Sequence, residues 1–190
     1  MELLIAGILL FFGTHSISII SQQWRDQMCN RLGVLSWQGI YSLLAIAGFM
    51  LIVNGYADTR INPTTIYTTP YWFRHIAMLL LLPVFPLIIA TYLPGKIQTR
   101  TKHPMLVATK IWAVSHLLVN GNLGDIILFS SFLVWAVAER ISLKRRTGVA
   151  VAMVPETRNN DIIAISGGLI IYIAIILWLH QTITGTALIN

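Results

Sequence analysis

Six apolar runs, each close to 20 residues long, constrain the fold of this chain more than any other feature. They span about residues 3–20, 35–57, 71–93, 104–120, 125–141 and 161–180. A helix rises about 1.5 Å per residue, so about 20 apolar residues cross a hydrocarbon core about 30 Å thick. Only 11% of the 190 residues are charged and 56% are hydrophobic, which disfavours a soluble globular protein. The sequence therefore predicts an all-α integral membrane protein, a bundle of six transmembrane helices.

We expect one membrane domain over residues 1–190, without a soluble domain. The first 20 residues lack a basic leading region and exceed the apolar core of a cleavable signal, so they predict a retained helix. Pro83 and Pro86 fall inside the third run, where each removes a backbone donor and should kink the helix. The turn residues of NGNLGD, 120–125, predict an antiparallel hairpin of the fourth and fifth helices, with Asp125 as a capping residue.

Basic residues are concentrated in alternate loops. Ten of the 13 lie in or beside the first, third and fifth loops: Arg25, Arg31, Lys96, Arg100, Lys102, Arg140, Lys144, Arg145, Arg146 and Arg158. The positive-inside rule puts these loops in the cytoplasm and both termini on the other side. We therefore expect a multi-pass protein of the bacterial inner membrane with both termini in the periplasm. The net charge of +6 is explained by this topology, so nucleic acid is not an expected partner.

Two histidines lie deep in predicted helices, where an ionisable side chain is costly and commonly functional. His15 is about 5 Å inside the midpoint of the first helix, and His116 is about 6 Å outside that of the fourth. Their heights therefore differ by about 10 Å, a gap that helix tilt and side-chain reach can close. Two neutral imidazoles can be the axial ligands of a haem iron, and haem is apolar enough for a helix bundle. The residues predict haem b bound by His15 and His116.

Helically spaced residues accompany each histidine. Trp112, His116 and Asn120 are four residues apart and share one helix face. A similar stripe in the first helix consists of Gly7, Phe11, His15, Ser18 and Gln22. Small and aromatic side chains beside a histidine could seat a flat ring, although such stripes also pack membrane helices against each other. The stripes make Trp112 and Asn120 candidate cofactor-binding residues.

Two basic side chains are candidates for binding the haem propionates. Lys110 can snorkel inward to a propionate or a lipid phosphate, and Arg74 lies at the opposite side of the membrane. The competing ligand pair is His75 with His116, both towards the outer side. His103 is expected near the inner interface, where a helix cap or a lipid contact competes with a functional role.

Five segments carry a resemblance to a known family. In chain order they are FFGTHS, RLGVLSWQGIYSLLAIAGF, YLPGKI, KHPMLVATKIWAVSHLLVNGN and FLVWAVAERISLKRR. Over roughly residues 1–147 the sequence resembles the NnrU family of bacterial membrane proteins, and the sixth helix at about 161–180 lies beyond this region. That resemblance implies an association with nitrite and nitric oxide reductases of denitrifying bacteria. The family is also similar to zeta-carotene isomerase, a haem b membrane enzyme of plants and cyanobacteria.

The isomerase resemblance implies the same ligand pair. Its haem ligands are the histidine of an HS motif in the first helix and the histidine after an HP motif in a later helix, which correspond to His15 and His116. The isomerase also has a cysteine three residues before its second ligand, implicated in a redox-dependent ligand switch. Ala113 stands at that position, so the switch is not implied here. The adjacent Arg74 and His75 look like NnrU and not like the isomerase.

Several functions remain open at this stage. An accessory haem b protein for nitrite or nitric oxide reduction, bound to a denitrification reductase, is favoured. One alternative is a haem-dependent cis-trans isomerase-like enzyme that acts on an apolar polyene. Another is an S-adenosylmethionine-dependent membrane methyltransferase, because the HP stretch resembles isoprenylcysteine methyltransferases, although Lys102 replaces their arginine. The last is a structural subunit of a membrane complex. No catalytic acid or base is predicted, since Asp125, Glu139 and Asp161 lie at predicted helix ends.

Overall fold

The computed structural model describes residues 1–146, 155–157, 159–186 and 188. The α-helices in chain order are α1 (Glu2–His15), α2 (Ile17–Ile20), α3 (Gln22–Leu32), α4 (Val34–Thr59), α5 (Phe73–Leu81), α6 (Val84–Ala90), α7 (Lys96–Thr101), α8 (Pro104–Val119), α9 (Leu123–Leu143), α10 (Asn160–Ala174) and α11 (His180–Thr184). A π-helical stretch, Ile175–Leu179, joins α10 to α11. The predicted all-α class is confirmed. Arg158 and the end of the predicted NnrU-like region at about 147 lie outside the described residues.

Four segments of the described chain are long and apolar enough to cross a membrane. They are Val34–Thr59, Phe73–Ala90, Leu123–Leu143 and Asn160–Thr184. The remaining predicted runs form apolar helices of only 14 and 16 residues, α1 and α8. At about 1.5 Å per residue these helices reach about 21 and 24 Å, less than a core about 30 Å thick. The membrane class is therefore supported, while the count of six crossings stays a prediction.

The third apolar run is interrupted where its prolines lie, as predicted. α5 ends at Leu81 and α6 begins at Val84, with Pro83 between them. The N–H of Leu82 turns back to the carbonyl of Leu79, so the Met78 carbonyl loses its usual helical donor. The hydroxyl of Tyr172 donates to that Met78 carbonyl at 2.7 Å. A side chain from α10 thus satisfies a backbone acceptor that the proline break exposes.

The turn between α8 and α9 also agrees with the prediction. α8 ends at Val119 and α9 begins at Leu123, which leaves only three residues for the connection. The N–H of Asn122 donates to Asp125 Oδ2 at 3.3 Å, so Asp125 caps its own helix. The three-residue turn and its cap agree with the sequence prediction for residues 120–125.

The chain divides into two compact units. The first contains Met1–Tyr71 and His116–Gly148, and the second contains Trp72–Ser115 and Val149–Asn190. Both units are discontinuous in sequence. The boundary within α8 assigns His116 to the first unit and the preceding turns of that helix to the second.

In the first unit, α1 packs against α4 with backbones in direct contact. The close pairs are Leu4 with Gly55, Gly7 with Ile52, and Phe11 with Gly48. A Cβ on Gly55 would come within 2.2 Å of the Leu4 amide nitrogen, so only glycine permits this approach. As the residue number rises along α1 it falls equally along α4, so the helices are antiparallel. Small residues at a helix contact are the usual solution in membranes, where van der Waals packing drives association.

In the second unit, α10 lies against the segment from α6 to α7. A Cβ on Gly168 would come within 2.2 Å of the Pro86 nitrogen, which shows how closely α10 approaches α6. The Asp161 carboxylate accepts from the N–H groups of Lys96 at 2.9 Å and Ile97 at 3.1 Å. Asp161, expected at a helix end in a capping role, therefore caps the first turn of α7 instead of its own helix.

Candidate functional site

His15 is the last residue of α1 and is half-buried. Its Nδ1 lies 2.7 Å from the carbonyl oxygen of Phe11, one helical turn earlier. A carbonyl can only accept, so Nδ1 carries the proton and donates this hydrogen bond. In the neutral imidazole, Nε2 then keeps its lone pair. This is the usual orientation of a metal-binding histidine, whose other nitrogen donates to a backbone carbonyl.

Aromatic rings surround His15. Phe11 stacks on its imidazole with ring centroids 4.1 Å apart, while the rings of Tyr41 and Trp135 meet it edge-on at 5.4 and 5.8 Å. Sequence reasoning found Phe11 through its helical spacing but missed Tyr41 and Trp135. A partial signal existed, because Phe132 and Trp135 are three residues apart and share a helix face. Which face of α9 meets α1 was not readable from that spacing.

A buried ion pair lies one turn beyond Trp135. The guanidinium of Arg146 donates to the Glu139 carboxylate, and the two side chains are only 10% and 15% exposed. The sequence predicts for Glu139 only a role at a helix end. The structure adds an ion pair with Arg146. A buried carboxylate requires a partner, and Arg146 supplies it.

His116 lies in the last turn of α8 and is half-buried. Its ring stacks on Phe129 of α9 with centroids 4.5 Å apart and planes 28° from parallel. Phe129 is buried. Both residues are a few positions from the turn that connects α8 to α9, and both belong to the first unit.

The end of α8 is fixed by a tyrosine from the loop after α4. The hydroxyl of Tyr67 donates to the carbonyls of Leu117 and Asn120. Burial raises the pKa of Tyr67 above its usual value, and the negative charge of Asp125 adds to the effect. The neutral hydroxyl therefore persists, and it secures the backbone next to His116.

His15 and His116 belong to the same unit but meet α9 at different levels. His15 meets Trp135, whereas His116 meets Phe129, six residues earlier on α9. At about 1.5 Å per residue the two levels differ by about 9 Å, close to the predicted offset of about 10 Å. Phe132, between these levels, contacts Phe11 with ring centroids 5.9 Å apart. Both histidines therefore contact aromatic side chains of α9 within the first unit.

The other predicted site residues are divided between the units. Asn120 belongs to the first unit, where its N–H donates to the His116 carbonyl at 2.8 Å. Trp112 belongs to the second unit and packs against the apolar cluster of Val84, Leu87 and Ala108. Trp112 therefore packs within the second unit.

The remaining three candidates also belong to the second unit. Lys110 and Arg74 are half-buried, and the side chain of His75 is exposed.

The side chains available as metal ligands suit a metal ion that is already held within a cofactor. Among the described residues, no group of three or more His, Cys, Asp or Glu side chains could hold a metal ion. A structural zinc site needs about four such ligands from the protein. In haem the equatorial nitrogen ligands of the iron belong to the cofactor, so the protein supplies only axial ligands. The oriented imidazole of His15, among aromatic rings, fits that smaller requirement.

Comparison with known families bears on the identity of the chain. A family profile described as NnrU protein matches residues 3–188. The chain belongs to the NnrU family. The match includes α10 and α11, so family membership extends beyond the residues 1–147 that carry the resemblance. No curated protein and no solved structure matches the chain.

Proposed function

We propose that this NnrU-family membrane protein binds haem b through His15 and His116 and supports nitrite or nitric oxide reduction as an accessory protein. The observation that carries the haem assignment is the 2.7 Å hydrogen bond between His15 Nδ1 and the Phe11 carbonyl. It holds the imidazole in one orientation and leaves Nε2 free to bind a metal. Bound haem would supply an iron able to carry an electron or to act as a Lewis acid.

The surrounding residues suit an apolar cofactor. The rings of Phe11, Tyr41 and Trp135 around His15, and that of Phe129 on His116, exclude water and limit rotation of the imidazoles. Both histidines lie in one unit, which is required of two ligands to one iron. The association of the family with denitrification genes supports the accessory role.

The packing of α1 supports the predicted six crossings. Although α1 has only 14 residues, it runs antiparallel alongside the 26-residue α4, so a membrane crossed by α4 also surrounds α1. Short helices are accommodated by local thinning of the bilayer at modest cost. With basic loops inside, this topology leaves both termini in the periplasm, in the inner membrane of a bacterium.

One observation favours the isomerase-like alternative. A groove of about 590 Å³ on the first unit is bounded by Phe12 and Trp135, and its walls are mostly apolar. Trp135 also contacts His15. An apolar polyene dissolved in the bilayer could therefore approach the proposed haem through this groove. In that case the protein is an enzyme, and the groove selects its substrate.

The test is an absorption spectrum of detergent-purified protein, oxidised and then reduced with dithionite. We expect a b-type spectrum that is lost in His15→Ala and in His116→Ala. His180→Ala is the matched control, because His180 Nδ1 also lies close to a backbone carbonyl, that of Thr186 at 2.8 Å. A colourless wild type from haem-replete cells would overturn the haem assignment. Loss of the spectrum in His75→Ala, with His15→Ala unchanged, would assign the site to the competing ligand pair.

The accessory and enzymatic roles are separated by a second measurement. Co-purification of a nitrite or nitric oxide reductase with the wild type, lost in the histidine variants, supports the accessory role. A spectral change on adding a polyene, abolished by a bulky substitution in the groove such as Ser130→Trp, supports the enzyme. Ser130 lines the groove, so this variant closes it without touching a histidine.

A further inference from the structure

A second cavity of the first unit, about 390 Å³ in volume, lies among α2, α3 and α4. Its walls combine apolar and polar side chains. The polar residues that line it include Ser18, Arg25, Gln38, Tyr41 and Ser42.

Each of these polar groups can donate a hydrogen bond, and Arg25 is also a cation. Ser18 is half-buried, Gln38 and Ser42 are exposed, and each of these side chains can donate a hydrogen bond to a bound group. Arg25 has one partner, with Nη1 at 3.0 Å from Asp26 Oδ1. A guanidinium has five N–H groups, so further donors of Arg25 remain available. A cationic group among hydroxyl and amide donors fits an anion rich in acceptor oxygens, such as a carboxylate.

The cavity adjoins His15 through a shared side chain. Tyr41 lines the cavity, and its ring meets the His15 imidazole edge-on at 5.4 Å. The Tyr41 ring therefore lies between the His15 imidazole and the polar residues of the cavity. Haem carries two carboxylates, and burying them without partners in an apolar bundle would be costly.

We propose that this cavity receives the carboxylate edge of the haem and that Arg25 is its ion-pair partner. This inference rests on the proposed binding of haem by His15. The basic residues suggested by the sequence, Lys110 and Arg74, belong to the second unit, whereas Arg25 belongs to the same unit as His15. Arg25 is the basic residue among the side chains that line the cavity.

The test compares two ligands that differ only at the carboxylates. Protein from haem-deficient cells is loaded with haem or with haem dimethyl ester, whose carboxylates are capped, and loss to excess apomyoglobin is timed. Arg25→Gln should lose haem about tenfold faster than the wild type, the effect of one charge-assisted hydrogen bond. Its loss of the dimethyl ester should equal that of the wild type. Arg25→Lys should restore part of the haem retention.

Arg31→Gln is the matched control, because Arg31 lies on the same helix, is exposed and does not line the cavity. It should retain haem as the wild type does. Equal haem loss from Arg25→Gln and the wild type would overturn the inference while leaving haem binding intact. So would equal acceleration of haem and ester loss, which would indicate a general change in the fold. A wild type that binds neither ligand would overturn both proposals.

Discussion

Gly48 of α4 lies against the backbone of Phe11 in α1, so closely that a Cβ would come within 2.7 Å of the Phe11 nitrogen. Phe11 in turn stacks on His15 and accepts its hydrogen bond. Gly48→Ala should therefore destabilise the protein by about 1–3 kcal/mol through overpacking. The measurement is the thermal unfolding midpoint in detergent.

Gly39→Ala is the control for that prediction, because nothing lies within 4 Å of a Cβ built on Gly39 in the same helix. Alanine is the better helix former, so this variant should be as stable as the wild type or slightly more stable. If both variants melt at the wild-type temperature, the close contact between α1 and α4 is wrong.

The cap that Asp161 provides should be visible in amide exchange. Asp161→Ala removes the acceptor of the Lys96 and Ile97 N–H groups and should cost about 1 kcal/mol, as for other helix caps. Hydrogen–deuterium exchange followed by mass spectrometry should show faster exchange at residues 96–97. Asp58→Ala, in α4, should leave that exchange unchanged. Unaltered protection in Asp161→Ala would contradict the assigned cap.

Tyr172 should matter more than an ordinary tyrosine in a membrane helix. Tyr172→Phe removes the donor to the Met78 carbonyl at the proline break and should lower the free energy of unfolding by about 1 kcal/mol. Tyr92→Phe removes a hydroxyl from an exposed side chain and should have little effect. Equal stabilities of the two variants would show that the Met78 carbonyl is satisfied in another way.

The raised pKa of Tyr67 predicts a loss of stability in alkaline solution. Folding favours the neutral hydroxyl, so its contribution is complete below the unfolded pKa of about 10 and is lost as pH rises through the higher folded value. The thermal midpoint of the wild type should fall more steeply above about pH 10 than that of Tyr67→Phe. Tyr71→Phe, from the same loop, should follow the wild type. Parallel curves for all three proteins would refute the prediction.

Local features of the fold could be predicted from the sequence. The helix break at Pro83 and the short turn before Leu123 agree with the predictions, because proline geometry and turn residues act within a few positions along the chain. The apolar runs coincide with helices within a few residues for the same reason. Four of the helical segments are also long enough to cross a bilayer, whereas α1 and α8 are shorter.

Contacts between helices could not be predicted in this way. The buried side of a soluble helix can be predicted from its apolar stripe. Because α4 and α9 are apolar on most faces, the sequence does not indicate which face of either helix packs against its neighbours. Tyr41 and Trp135 were therefore missed as neighbours of His15. The seven-residue spacing of Gly48 and Gly55 was the one available signal for the face that meets α1.

The cap on α7 can form only after a later part of the chain has been synthesised. Lys96 and Ile97 leave the ribosome long before Asp161, which follows Lys96 by 65 positions. Until the last apolar helix enters the membrane, these backbone amides lack the acceptor that the finished protein gives them. A chain cut short before Asp161 would lack this cap, so the first turn of α7 would fray more readily than in the finished protein.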